Sequence, residues 1–168
     1  MFKEMKVSGI AIDPVTNTPI MILREVDGEQ AMPIWIGLLE ATAIATEMEK
    51  IRFSRPMTHD LLRNILKEVG AGVVKIEIID LRENTFYAII TIITRDREFQ
   101  VDARPSDAIA LALRTDSPIY VHETVIDKSK RMEMGQRRRF ILKRERSGLR
   151  SWDAFRLRTL ANTRCECL

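Results

Sequence analysis

Three short stretches of this 168-residue sequence hold the residue types from which a reactive site could be built. Glu40 stands in "MPIWIGLLEATAIA", Met32 to Ala45. Arg55, Thr58, His59 and Asp60 share "RPMTHDLL", Arg55 to Leu62. Asp102, Arg104, Ser106 and Asp107 crowd the start of "DARPSDAIALALR", Asp102 to Arg114. Carboxylates activate water or hold metal ions, and an imidazole moves a proton near neutral pH. A guanidinium grips phosphate oxygens through a fixed fork of donors, and hydroxyls add further donors. The set suits work on a phosphate ester, with Glu40, His59, Asp60 and Asp107 as candidate catalytic groups and Arg55, Arg104, Thr58 and Ser106 as candidate phosphate ligands.

The second and third stretches share a design: Arg-Pro, a hydroxyl residue, an Asp, then an apolar helix. Proline holds the preceding arginine in extended geometry. Thr58 and Ser106 are predicted N-caps, and Asp60 and Asp107 in the first turn complement the positive end of the helix dipole. Capping accounts for these four residues without any function. It does not account for Arg55 and Arg104, because a guanidinium just ahead of a helix opposes that dipole. Two arginines beside free helix N–H groups make a candidate anion site. Asp102 lies on the strand face opposite Phe99, Val101 and Ala103, where it can pair with Arg104.

Several elements must position these groups. "KVSGIAID" and "PIMILREV" flank the turn signal Asp13-Pro14…Asn17 as a hairpin, and "QAMPIWIG" follows a second turn at Val26 to Glu29. In "LLEATAIATEMEKI" the residues Leu38, Leu39, Ala41, Ile44, Ala45, Met48 and Ile51 form a helical stripe, with Glu40 in the first turn. "THDLLRNILKEVG" is a helix with Leu61, Leu62, Ile65, Leu66 and Val69 as its apolar face and Gly70 as its stop. "GVVKIEIID" alternates Val74, Ile76 and Ile78 against Lys75 and Glu77, as a half-buried strand does. "TFYAIITIIT" and "REFQVDA" are strands joined through Arg95-Asp96, "SDAIALALR" is a short helix and "PIYVHETV" a last strand. The order predicts an α+β fold: a mostly antiparallel sheet with two central helices and a third short helix packed on it.

The length suits one globular domain, and the 45% hydrophobic and 30% charged composition is ordinary for a soluble chain. No apolar run approaches the roughly 20 residues of a membrane span, and "MFKEMKVSGI" lacks the core of a signal peptide. A cytoplasmic protein without membrane contact is expected. Cys165 and Cys167, at the extreme C-terminus, make neither a disulfide framework nor a metal site. The net charge of +3 hides a split: residues 1–127 hold 14 Lys and Arg against 20 Asp and Glu, net −6, and residues 128–168 hold 13 against 4, net +9. The expected organisation is therefore a body, 1–127, and a basic tail, 128–168. In the tail, Arg137-Arg138-Arg139 and Lys143-Arg144-Glu145-Arg146 would attract nucleic acid, and Trp152, Phe155 and Leu160 suggest a short amphipathic helix.

The three stretches, in this order and spacing, resemble the bifunctional nuclease domain family over about residues 1–127. The resemblance implies hydrolysis of phosphodiester bonds in DNA and RNA with little sequence selectivity, nucleic acid as the partner, and a homo-oligomer. It does not assign catalytic residues; those named above follow from chemistry alone. Such hydrolysis often uses divalent metal held by carboxylates, yet the sequence has no D-x-D or H-x-H ligand motif, so the metal stays open. The acidity of the body opposes binding of a polyanion unless arginines form a local patch. The competing reading is a non-enzymatic module in which the two Arg-Pro helix starts hold a phosphate, a nucleotide or a partner carboxylate. A third is a structural domain in which the polar residues only cap helices.

Overall fold

The computed structural model describes residues 1–13 and 16–131. The expectations for Pro14, for the arginine clusters beyond residue 131 and for Trp152, Phe155 and Leu160 lie outside the described residues.

Two three-stranded meanders meet at a central strand. The first is β1 (Phe2–Ile12), β2 (Pro19–Glu25) and β3 (Ala31–Trp35); the second is β4 (Gly72–Arg82), β5 (Thr85–Ile93) and β6 (Glu98–Ala103). Between them β7 (Ile119–His122) completes one seven-stranded sheet in the order β3-β2-β1-β7-β4-β5-β6. It pairs antiparallel with β1 and parallel with β4, and every other neighbouring pair is antiparallel. The α+β class and the mostly antiparallel sheet are as expected. The tightest hairpin, β4 to β5, turns on Glu83 and Asn84, both at positive φ (48° and 63°). Paired positive φ values match the right-handed twist of the flanking strands.

Three helices of 11 residues lie between strands: α1 (Leu38–Met48) and α2 (Thr58–Glu68) join the meanders, and α3 (Pro105–Thr115) leads into β7. The third is the central one. It packs on β4 and β5 and against both α1 and α2, and Ala108 to Ala112 are all buried. A run of small and apolar residues round the whole helix suits such a place. The core joins this helix to Met5, Leu23, Ile76, Ile78 and Val121 of the sheet.

The apolar periodicity found helices but misplaced several of their faces. In α1, Leu38 and Leu39 are 71% and 82% exposed, and the buried side runs through Ala41, Ile44 and Glu47. Ile51 lies beyond the helix and is exposed. Leu61, Leu62, Ile65 and Val69 of α2 are exposed, because this helix leans on α3 and leaves most of its apolar side uncovered. Val74 is exposed because a bulge between Val73 and Lys75 shifts the alternation, while Ile76 and Ile78 are fully buried. The last strand ends at His122, and residues 123–131 form a fourth helix, α4, instead of continuing it. Val125 and Ile126 of α4 join the core, and Lys128 bonds Asp80 at the end of β4 (2.7 Å). The Lys128 contact, with Arg82 and the Leu81 N–H, holds the Asp80 carboxyl well below its ordinary range. No helix of the described residues is long and apolar enough to cross a membrane.

Candidate functional site

Three acids occupy one structural position. The N-caps of α1, α2 and α3 are Gly37, Met57 and Arg104, so Glu40, Asp60 and Asp107 each stand third in their helix. A carboxylate in the first turn complements the helix dipole. Among the described residues only Asp60 also bonds the backbone of its own cap, accepting the Met57 N–H at 3.1 Å. The other two face one another across an arginine.

Arg104 donates from Nη1 to Glu40 (2.9 Å) and from Nε to Asp107 (2.8 Å). The second Asp107 oxygen lies 3.2 Å from Nε2 of His59. A continuous polar chain, His59–Asp107–Arg104–Glu40, thus joins the N-terminal turns of all three helices. The Arg104 side chain is 68% exposed and that of His59 only 15%. Hydrogen bonding to Asp107 and the Asp107 and Glu40 charges raise the Arg104 pKa above its ordinary value, so the guanidinium stays charged. Gly37 leaves room for Glu40: a Cβ there would overlap the Glu40 carboxylate.

Asp60 belongs to a second chain, beneath the first. Its Oδ1 accepts from Nε of Arg114 at 2.6 Å, and Glu47 lies 4.0 Å from the same nitrogen. Arg114 also donates from Nη1 to the Ala110 carbonyl, and its side chain is 3% exposed. Burial pushes the Asp60 carboxyl up, but the bonds from Arg114 and Met57 and the Arg114 and Arg63 charges outweigh it and leave the pKa below 3.8. Arg114 and Glu47 escaped the sequence analysis. Their signal was spacing: each lies seven residues beyond Asp107 or Glu40, on the same face of its helix.

The structure therefore brings Glu40, His59, Arg104 and Asp107 together and sets Asp60 apart. Neither Thr58 nor Ser106 is an N-cap. They stand first and second in their helices, and neither helix has a side-chain cap from the predicted hydroxyl. The prolines explain the shift: Pro105 is itself the first residue of α3, whereas Pro56 lies before the cap of α2. Arg55 is exposed in the loop before α2, with no ion pair among the described residues. Asp102 does not pair with Arg104, which turns to the helix acids instead. Among the described residues no group of three or more His, Cys, Asp or Glu side chains could hold a metal ion; Arg104 lies between Glu40 and Asp107.

Comparison with known proteins points one way. A family model for the bifunctional nuclease domain matches residues 21–133. An uncharacterized protein of Mycobacterium tuberculosis (strain H37Rv) is 45% identical over 123 residues, 73% of each chain. Bifunctional nuclease 2 of rice, Oryza sativa subsp. japonica, is 27% identical over 112 residues, 64% of this chain and 34% of the rice protein. The bifunctional nuclease of Oryza minuta is 22% identical over 116 residues, 67% of this chain and 35% of that protein. This chain thus spans about a third of the plant proteins and most of the mycobacterial one. The matched span contains every residue of both ion networks, and the chain belongs to the bifunctional nuclease domain family.

Proposed function

We propose that the chain hydrolyses phosphodiester bonds of DNA and RNA with little sequence selectivity, at the His59–Asp107–Arg104–Glu40 network. The observation that carries this reading is the 3.2 Å contact between His59 Nε2 and Asp107. It joins two of the three stretches and leaves imidazole Nδ1 without a partner among the described residues. An ionised carboxylate only accepts, so Nε2 carries the proton and Nδ1 is the base. In the proposed reaction water attacks phosphorus and passes a proton to Nδ1. The bond to the leaving oxygen then breaks, and the imidazolium returns that proton to the leaving oxygen. The nucleophile is water and not the sugar 2′-hydroxyl, so DNA and RNA are equivalent substrates.

Arg104 Nη2 has no partner among the described residues once Nε and Nη1 bind Asp107 and Glu40, and that donor suits a phosphoryl oxygen whose charge grows in the transition state. Glu40 and Asp107 hold the guanidinium in position. Asp60, engaged by Arg114, is left outside the chemistry. The names of the rice relatives and membership of the family support the reaction class. Self-association belongs to the same reading, supported by the exposed apolar side of α2.

The test compares the full chain with Asp107→Asn on single-stranded RNA and DNA, with and without divalent metal. Cleavage should fall on the order of 10²–10⁴-fold, the usual worth of general acid–base catalysis. Stability should change by no more than about 1 kcal/mol, as for other exposed ion pairs. Equal cleavage by both proteins sinks the site. No cleavage by either favours the module that only binds a phosphate, a nucleotide or a partner carboxylate through Arg104.

A further inference from the structure

The seam between α2 and α3 leads from the network to a second place where a phosphate fits. A cavity of about 320 Å³ opens between the C-terminal halves of the two helices and the start of β4. Arg63, Lys67 and Arg114 line it together with Leu66, Val73 and Thr115, and no acid does. Asp60 neutralises Arg114. Arg63 donates from Nε and Nη2 only to the neutral side-chain oxygen of Asn64 (3.3 and 3.1 Å), and Lys67 has no ion pair among the described residues. Arg63, whose charge also reaches Asp60, and Lys67 are two cations without a direct ion pair among the described residues; beside an apolar wall they match the chemistry of a nucleotide: a phosphate for the charges, a ribose or base for Leu66 and Val73.

Position ties this cavity to the network. His59, Arg63 and Lys67 recur at intervals of four and share a stripe along α2, about 12 Å from end to end. Asp107 and Thr115 are eight residues apart on α3, the same interval as His59 and Lys67 on α2. The cavity thus lies about two turns along the seam from the His59–Asp107 contact. Segment 50–67 holds five cations (Lys50, Arg52, Arg55, Arg63, Lys67) against one acid, Asp60, a net of +4. The rest of residues 1–127 holds 9 against 19, a net of −10. Lys50 and Arg52 pair with Glu47, just outside the segment, so Arg55, Arg63 and Lys67 are the cations left there to attract a polyanion to an otherwise acidic body. Lys67, in the last turn of α2, also complements that helix's dipole; Arg63, a full turn earlier, has no such role.

We infer that the cavity is a nucleotide subsite, holding a phosphate beyond the two nucleotides joined by the scissile bond, in a strand laid along α2. The inference rests on the nuclease reading above. A nucleotide phosphate can come from a bound strand or from a free mononucleotide, and the arms of the test separate the two. The full chain carrying Asp107→Asn, which keeps the strand intact, is titrated with a labelled single-stranded oligonucleotide of about 12 residues, a dinucleotide and adenosine monophosphate. The same titrations are repeated after adding Arg63→Gln or Lys67→Gln. Each addition should weaken the oligonucleotide and reduce the salt slope of its binding by about 1, with the dinucleotide unchanged. Lys67 is exposed, so its variant tests the site even if Arg63→Gln unfolds. Oligonucleotide binding with unchanged affinity and slope in both variants overturns the subsite and leaves the nuclease reading standing. Binding of the mononucleotide alone, lost in both variants, overturns the strand and the nuclease reading together and leaves a free-nucleotide site.

Discussion

Two ion networks tie the same three helices, and they differ chiefly in depth. The outer one links Glu40 of α1, His59 of α2 and the Arg104–Asp107 pair of α3 around a guanidinium whose side chain is 68% exposed. The inner one links Glu47, Asp60 and Arg114, at intervals of seven, one and seven residues from the first, around a guanidinium only 3% exposed. The residue types are nearly the same; the dielectric is not. Exposed ion pairs contribute about 0–1 kcal/mol, and their donors stay open to a ligand. Buried ones lose their hydration, and losing one partner leaves the others uncompensated. Similar chemistry therefore leaves an open guanidinium at the surface and a clamp beneath it, and depth tells them apart.

The largest effect that would sharpen this contrast is on stability. Arg114→Ala takes from Asp60 its bonded cation and leaves Glu47 only Lys50 and Arg52 at the surface, and should cost about 3–5 kcal/mol, read from urea denaturation. Arg104→Ala should shift the urea midpoint far less in the same experiment, because its ion pairs are exposed. Equal losses from the two substitutions would erase the distinction between clamp and site.

A smaller effect lies in pH. The folded pKa of Asp60 is depressed below 3.8, so its contribution is present above the unfolded value and is lost as pH falls through the folded one. Asp60→Asn lacks that dependence. The stability gap between wild type and variant should be constant from neutral pH down to about 5, then narrow below about 4 as the wild-type carboxyl takes up a proton. Urea midpoints across that range measure it, and a gap that widens in acid would show that Asp60 is not held ionised by Arg114.

Much of the outer network was legible in sequence. A carboxylate near a helix start, an arginine beside a proline and an imidazole one turn into the same pattern are local signals, and Glu40, His59, Arg104 and Asp107 do converge. Asp60 looked equivalent to Asp107 because both stand third in their helices. What separates them is a partner 54 residues away, and no local pattern reports that. Arg114 stands in a last helical turn, where the dipole favours a cation anyway, so its position alone gives no sign of a buried partner. The apolar side of α2 was visible, but periodicity says that a face seeks cover and not whether anything within the chain supplies it. Strand faces were legible until a bulge shifted their alternation at Val74.

The smallest predicted effect concerns the hydroxyls, and it decides whether Thr58 and Ser106, in the first turns of α2 and α3, hold those helices as caps would. A lost N-cap costs about 0.5–2 kcal/mol, because a free helix N–H then goes without an acceptor. Thr58 is the first residue of α2, exposed and without a side-chain cap bond, so Thr58→Ala should stay within about 0.5 kcal/mol. Ser106 is second in α3 and buried at 8% exposure, again with no cap bond, so Ser106→Ala should fall short of the loss expected of a cap. Thermal denaturation resolves either case. Losses near 2 kcal/mol would return these residues to capping and weaken the case for a site. Near-zero losses would leave both hydroxyls without a role in holding the helices. Ser106 stands beside Asp107, so a fall in cleavage at unchanged stability would then place its hydroxyl with the outer network.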